Sequence, residues 1–124
     1  MSQDLIADAL NQVMNSKKAG KSVVVINGYS KFLISVLALG KLKGYIKDYK
    51  HDKKSLTVEI GKLKFCKAIK PRYTVNVSEI EKHEKRNLPA RGLGILVIST
   101  PEGLMTNETA KEKNIGGSLI AYMY

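Results

Sequence analysis

Two short segments near the carboxyl end carry groups suited to hydrogen bonding with RNA. Ser99 and Thr100 lead into Pro101-Glu102-Gly103, and a glycine doublet, Gly116-Gly117, precedes a closing apolar stretch. A hydroxyl both donates and accepts hydrogen bonds, which matches the ribose 2′-OH and the base edges of RNA. These residue types therefore point to RNA recognition, although a plain surface turn uses the same residues.

The glycine doublet has two interpretations. Without a Cβ, it lets the backbone of a polymer approach and meet amide N–H groups, or it forms a helix-to-strand turn that needs positive φ. The RNA interpretation gains weight only if strands 94–98 and 118–124 are neighbours. Both bends would then lie at one edge of a sheet.

The net charge of the chain favours a polyanionic partner. Its 21 Lys and Arg residues against 11 Asp and Glu residues give +10. Such a field attracts nucleic acid or an acidic membrane and does not specify a fold. Phosphate contacts, which position a protein without reading sequence, are expected from four basic residues. These are Lys70, Arg72, Arg91 and Lys111.

Aromatic residues are too few for a base-stacking platform. They form 6% of the chain and include no Trp, so Tyr73, Tyr122 and Tyr124 are minor candidates. Recognition of a folded stem by shape and hydroxyl contacts is favoured over stacking on single strands.

Membrane, metal and enzyme functions find little support in the sequence. No stretch approaches the roughly 20 apolar residues of a membrane span, and the start of the chain lacks a signal-peptide pattern, so a cytoplasmic location is expected. Cys66, His51 and His83 supply neither a disulfide nor a metal site, and no cofactor or small-molecule substrate is predicted. A dyad of His83 with Cys66 or Ser99 lacks an orienting carboxylate, so an enzyme is not expected.

The first half of the chain predicts two helices on a three-stranded sheet. Apolar residues at helical spacing predict helices over 3–18, with Ser2 as N-cap, and over 30–42. A β-branched run predicts a strand at 22–26, and two more strands, at 45–49 and 56–60, flank a turn at 51–54.

The second half predicts shorter elements around a buried strand. Residues 62–65 are strand-like, and Ser78-Glu79-Ile80-Glu81 has capping-box spacing for a helix that ends before Pro89. A strand at 94–98 precedes the turn at 100–103, which has the residues of a type I turn. Thr106 is a suitable cap for a helix that Asn114 ends, and the last strand follows.

These elements predict an α+β fold of two small packed subdomains. Residues 1–61 form an N-terminal α/β subdomain with helices on a three-stranded sheet. Residues 62–124 form a mainly antiparallel β subdomain with short helices.

The chain resembles the archaeal and eukaryotic cytosolic branch of the small-subunit ribosomal protein S8 family over essentially its whole length. The most specific match is the run from Gly94 to Thr100, through Gly103 to Thr106, to Gly116-Gly117. Further similar segments are Asp4 to Asn11, Cys66 to Tyr73 and Leu88 to Arg91.

The resemblance implies a structural protein that binds the central domain of small-subunit rRNA, supports subunit assembly and contacts neighbouring ribosomal proteins on the ribosome. The alternative is a translational repressor that binds mRNA outside the ribosome. The expected RNA-binding residues are Ser99, Thr100, Gly103, Thr106, Gly116, Gly117 and Ser118, with Lys70, Arg72, Arg91 and Lys111 supplying charge.

Three features depart from the family pattern. Pro101 stands where the family turn has serine, which removes one hydroxyl and one backbone N–H. Ser118 stands where many members have Glu or a basic residue, and the loop at 51–54 is shorter than usual for this branch.

Overall fold

A computed structural model describes residues 5–70, 72–90 and 92–124 of the chain. Within these residues it contains four α-helices and eight β-strands in two antiparallel sheets, which confirms the α+β prediction. The chain divides into two compact units, Met1–Lys67 and Ala68–Tyr124.

The first unit is a three-stranded sheet with two helices on one face. Its elements are α1 (Leu5–Lys18), β1 (Val23–Asn27), α2 (Lys31–Leu42), β2 (Ile46–His51) and β3 (Ser55–Ile60). The strand order is β1-β3-β2, with both pairs antiparallel. The helices cover the face that carries Val24 and Ile26, whereas Val23 and Val25 point to the exposed face. The predicted layer is confirmed.

Helical spacing in the first unit produces the expected buried stripes. In α1, Ile6, Leu10 and Val13 are buried; the predicted cap Ser2 lies outside the described residues. In α2, the Ser30 side chain accepts a hydrogen bond from the Leu33 amide at 3.2 Å, so the helix begins where a cap is available.

The turn between β2 and β3 is fixed by one carboxylate. Asp52 Oδ1 accepts hydrogen bonds from the amides of Lys54 and Ser55 at 3.0 and 2.9 Å. These bonds favour the ionised form and lower the pKa of Asp52 below its ordinary value. The short loop at 51–54 is thus a hydrogen-bonded turn.

The segment after β3 differs from the sequence prediction. Residues 62–65 are not a strand; the strand is β4 (Cys66–Ala68), and Leu63 is a single buried anchor. The Lys62 amide donates to the Gly44 carbonyl at 2.9 Å, and the Cys66 thiol lies 3.7 Å from the Leu10 carbonyl oxygen. These contacts hold residues beyond Gly61 in the first unit, so the division falls after Lys67.

The second unit is built around a buried central strand. After β4, which crosses the division, come β5 (Thr74–Val75), α3 (Val77–Asn87), β6 (Ile95–Thr100), β7 (Gly103–Thr106), α4 (Asn107–Lys113) and β8 (Gly117–Met123). The sheet order is β4-β8-β6-β7, with β5 also paired to β8. The predicted neighbours 94–98 and 118–124 do pair, with Ser99 opposite Ser118.

Three local predictions in this unit need correction. The strand predicted at 94–98 continues to Thr100, and the residues after the turn form β7. The capping box belongs to Asn76 and Glu79, not to Ser78 and Glu81. Asn76 Oδ1 accepts from the Glu79 amide at 3.1 Å while Glu79 Oε1 accepts from the Asn76 amide at 3.0 Å.

A buried amide joins the two helices of this unit to its central strand. Asn107 Oδ1 accepts from the Leu96 amide at 3.0 Å, and Asn107 Nδ2 donates to Glu84 of α3. Lys111 Nζ lies 2.9 Å from the same carboxylate. We call these residues, Glu84, Asn107 and Lys111, the clasp.

Candidate nucleic-acid interface

The bend between β6 and β7 is closed by Thr100. Its hydroxyl donates to the Gly103 carbonyl oxygen at 2.7 Å and accepts from the Glu102 amide at 3.1 Å. Thr100 is buried. The hydroxyl predicted to reach RNA therefore has its proton engaged within the hairpin, so Thr100 shapes the bend.

Gly103 and Pro101 meet the backbone requirements of this bend. Gly103 has φ +116°, which L side chains rarely adopt, and a Cβ there would meet nothing within 4 Å. Glycine is thus required by conformation rather than by space. Pro101 lacks an amide N–H, but the bend closes through Thr100 and Glu102, so proline is compatible with it.

The glycine doublet lets β8 pass between two other strands. A Cβ on Gly116 would collide with the Val75 carbonyl oxygen, and one on Gly117 with that of Ser99. Neither glycine has positive φ, so the interpretation as a positive-φ turn is wrong. That conformation belongs to Asn114, with φ 58°, which ends α4 as predicted. The doublet exists for close approach of backbones.

Both bends line one open groove of about 630 Å³. Its walls come from the start of α3 with β5, from the β6–β7 bend and from the entry to β8. The lining residues are Thr74, Val75, Asn76, Val77, Ser99, Thr100, Pro101, Asn114, Gly116, Gly117 and Ser118. Every polar side chain in this set is an uncharged hydroxyl or amide.

Three polar groove residues were missed by the sequence prediction. Thr74 lies opposite Ser118 across β5 and β8, with their hydroxyl oxygens 3.5 Å apart. Asn76, the N-cap of α3, and Asn114, the C-cap of α4, also line the groove. The Asn76-x-x-Glu79 spacing of the capping box was the available signal for Asn76, whereas a two-residue strand such as β5 leaves no periodic pattern.

The structure separates some predicted site residues from the groove. Thr106 is buried and caps α4 by accepting from the Thr109 amide at 3.3 Å. Lys111 is paired with Glu84 and lines a different cavity, of about 350 Å³, beside α3 and α4. Arg91 lies outside the described residues.

Lys70 and Arg72 precede the groove in the chain and are not among the residues that line it. Both are exposed in the segment that leads from β4 into β5, one strand that forms the groove wall. Tyr73, between Arg72 and β5, is 44% exposed, and its ring lies 5.9 Å from that of His83. By contrast, Tyr122 and Tyr124 stack on each other and pack against the core of the unit.

The thiol and imidazole of the dyads considered above are engaged in packing. Burial raises the pKa of the Cys66 thiol to about 12, so it stays protonated and is a poor nucleophile. Burial, with the nearby charges of Arg86 and Lys82, lowers the pKa of His83.

The described residues contain neither a cluster of metal ligands nor a membrane-spanning helix. No three His, Cys, Asp or Glu side chains cluster as metal ligands in residues 5–70, 72–90 and 92–124. No helix in that part of the chain has the length and apolarity to cross a bilayer.

Comparison with known proteins identifies relatives over the whole chain. A family model described as ribosomal protein S8 matches residues 4–124. The small ribosomal subunit protein uS8 of Methanococcoides burtonii is 41% identical over 126 residues, which cover 98% of this chain and 97% of the relative.

Proposed function

Because this chain belongs to the ribosomal protein S8 family, we propose that it is a structural protein of the small ribosomal subunit that binds the central domain of the rRNA through the groove. In this role it supports assembly of the subunit and contacts neighbouring ribosomal proteins. The proposal assigns it no catalytic step.

The groove is the observation that carries the RNA proposal. Two bends that are distant in sequence border one surface whose polar side chains are hydroxyls and amides. These groups can both donate and accept hydrogen bonds to base edges and 2′-OH groups of an irregular stem. A charged wall would bind phosphate on any duplex; a neutral wall favours recognition of one shape.

Charge and selectivity are supplied by different residues in this proposal. Lys70, Arg72 and Arg91 contact phosphates and position the protein, whereas Ser99, Ser118 and Thr74 contact sugar and base edges. Thr100, Gly103 and the glycine doublet hold the backbone that presents these side chains. Lys111 contributes to the positive charge of the chain while it forms an ion pair with Glu84.

The test compares two adjacent hydroxyls. Ser99→Ala is expected to weaken binding to the central-domain stem by about 1–2 kcal/mol, because a partner on the RNA loses its hydrogen bond. Thr100→Ala is expected to weaken it similarly, but also to lower the free energy of unfolding by about 1 kcal/mol, because it opens the hairpin. Binding would be titrated with the stem and with an unrelated duplex, and unfolding followed in denaturant.

Thr57→Ala is the matched control, since it removes a half-buried strand hydroxyl from the first unit. It should leave affinity for the stem unchanged. Equal losses by Ser99→Ala on the stem and on the unrelated duplex would contradict recognition by the groove.

The binding site on the rRNA has its own test. Hydroxyl-radical footprinting on small-subunit rRNA should show protection of a stem with an irregular internal loop in the central domain. Protection confined to another domain would contradict the proposed site.

Cofractionation with small subunits after a high-salt wash, compared with crosslinking to messages, distinguishes the structural role from the mRNA-binding alternative.

A further inference from the structure

Most of the positive charge of the chain belongs to the unit that does not contain the groove. In Met1–Lys67, 13 lysines against 5 Asp and Glu residues give +8. In Ala68–Tyr124, 8 Lys and Arg residues against 6 Asp and Glu residues give +2. The phosphate contacts of the proposed function, by Lys70, Arg72 and Arg91, all lie in the second unit. They leave the larger share of the charge without a role.

The fold gathers six exposed lysines of the first unit at one end of its three-stranded sheet. The start of β1, the start of β2 and the end of β3 meet there, because Val23 pairs with Glu59 and Ile46 pairs with Ile60. Helices α1 and α2 also end there, since they lead into β1 and β2. We call this cluster the lysine end; it consists of Lys18, Lys21, Lys43, Lys47, Lys62 and Lys64.

Backbone hydrogen bonds join the three chain segments that carry the lysine end. The Ile60 amide donates to the Ser22 carbonyl at 2.8 Å, and the Lys62 amide donates to the Gly44 carbonyl at 2.9 Å. Leu63, the next residue, is buried. The lysines are therefore carried by segments that lie against one another, not by a tail.

The ends of the helices account for only part of this arrangement. Lys18 lies in the last turn of α1 and Lys43 is the C-cap of α2, where a cation is favourable beside the partial negative charge of a helix end. Lys47 lies in β2, and Lys62 and Lys64 follow β3. No helix end explains these three.

Few acidic residues offset the charge of the lysine end. In residues 17–23, 41–48 and 59–64 the acidic residues are Asp48 and Glu59. Asp48 is paired with a further lysine, Lys41, at 3.0 Å. Like charges gathered in this way repel one another and oppose folding. A polyanionic partner would relieve that repulsion.

We propose that the lysine end is a second RNA-binding surface, which binds the phosphate backbone of duplex RNA of any sequence and independently of the groove. Lysine is a flexible point charge that contacts phosphate without reading bases. Residues 1–67 contain no arginine, the side chain suited to bidentate recognition. A lipid surface is disfavoured, because the six lysines come from three segments and not from one amphipathic helix.

This second surface rests on the proposed function only in taking RNA as the polyanion. The groove selects one stem, whereas the lysine end contributes to binding on every duplex. Ser99→Ala leaves the first unit unchanged, and substitutions in the lysine end leave the groove residues unchanged. Failure of groove recognition and failure of the lysine end are therefore separate results.

Two triple variants test the lysine end on an RNA duplex that lacks the irregular stem. One combines Lys47→Gln, Lys62→Gln and Lys64→Gln. The matched control removes the same charge from exposed positions at the opposite end of the same sheet and helix layer. It combines Lys31→Gln, Lys53→Gln and Lys54→Gln.

The lysine-end variant should bind the duplex about tenfold or more weakly at about 0.1 M salt. Its slope of log affinity against log salt should fall by about two to three, because about 0.9 is lost with each phosphate contact. The control should change affinity and slope much less. Equal losses in the two variants would overturn the proposal, since they would reflect net charge alone.

Unfolding in denaturant shows whether the lysines serve the fold instead. Both triple variants should be at least as stable as the wild-type protein, because each removes like charges from a basic unit. A loss of stability confined to the lysine-end variant would assign these lysines to folding and would overturn the proposal.

Lysine acetylation of the wild-type protein, read by mass spectrometry, tests the same surface without any substitution. Duplex RNA should protect Lys47, Lys62 and Lys64 and leave Lys53 and Lys54 reactive. Equal protection at both ends would overturn the proposal. Protection by polyglutamate or by phosphatidylserine vesicles, but not by the duplex, would also overturn it and identify an acidic protein or a lipid surface as the partner.

Discussion

At the scale of single residues, the groove depends on groups that RNA need not touch. The Thr100 hydroxyl is hydrogen-bonded to the Gly103 carbonyl and the Glu102 amide. The glycine doublet leaves space for the carbonyl oxygens of Val75 and Ser99 in the protein itself. Sequence resemblance marks these positions as part of the RNA site. The structure indicates that several act by shaping the backbone that carries the side chains proposed to contact RNA.

Gly117→Ala is expected to destabilise the protein by about 1–3 kcal/mol, because the added Cβ collides with the Ser99 carbonyl and forces β8 away from β6. Denaturant unfolding measures the loss. Gly20→Ala is the control: it has φ +80° but no atom near the added Cβ, so it reports backbone strain without a collision. A loss no greater than that of Gly20→Ala would exclude the collision as the reason for glycine.

His83 is expected to reduce stability in acid. Its pKa in the folded protein is lowered from 6.5, first by burial and then by Arg86 and Lys82. The unfolded chain therefore binds the proton at a higher pH than the folded chain. Stability from the neutral imidazole is fully present above about pH 6.5 and is lost as the pH falls below it.

Unfolding in denaturant at pH 7.5 and pH 5 tests this assignment, with His83→Gln as comparison. The wild-type protein should lose more stability between the two pH values than the variant, since other titrating groups are common to both. An equal loss would show that His83 does not titrate differently on folding.

At the scale of elements, α3 depends on its N-cap, Asn76. Asn76→Ala should lower the free energy of unfolding by about 1 kcal/mol through loss of the cap, whereas Ser78→Ala should cost much less. Helix content and denaturant midpoints measure both changes. The opposite ranking would place the helix start at Ser78.

The long helices and strands could be predicted from the sequence because the spacing of their apolar residues indicates which side faces the core. Residues 30–42 and 106–114 also carry their caps, Ser30 and Thr106, in sequence. The two-residue strand β5 has no period, and β7 follows a turn so closely that Gly103 to Thr106 read as loop. The partner of β5 is β8, which is distant in sequence. The pairing of β7 with β6 is revealed only by the fold.

The candidate site was predictable only in outline. The two bends were identified from hydroxyls, glycines and family resemblance, and their adjacency required the pairing of β6 with β8. Thr74 and Asn76 joined the groove through long-range pairing and a cap, which local composition does not report. Lys111, by contrast, was predicted from the sequence as an RNA-binding residue, and only the fold shows its ion pair with Glu84.

At the scale of the whole molecule, the charge of +10 determines how binding responds to salt. If about six to eight phosphates are neutralised, log affinity should fall with log salt by about 0.9 per phosphate on a duplex-like site. Titrations at several salt concentrations give the slope. A slope near zero would exclude phosphate neutralisation as the basis of affinity.

Lys70→Ala should reduce that slope by about one unit and weaken binding similarly on all RNAs, because it removes one phosphate contact. Ser99→Ala should leave the slope unchanged. A change of slope by Ser99→Ala would show that its hydroxyl acts through charge.

The clasp connects parts of the second unit that are far from each other in sequence. Helix α3 is capped at the groove by Asn76 and carries Glu84 two turns later, while α4 begins at Asn107 and is capped by Asn114, which also borders the groove. Damage to Glu84 would therefore tilt two groove walls at once. In a genetic screen it would register as an RNA-recognition defect at a residue to which the proposed site assigns no RNA contact, and a map of such defects would overstate the footprint of the RNA.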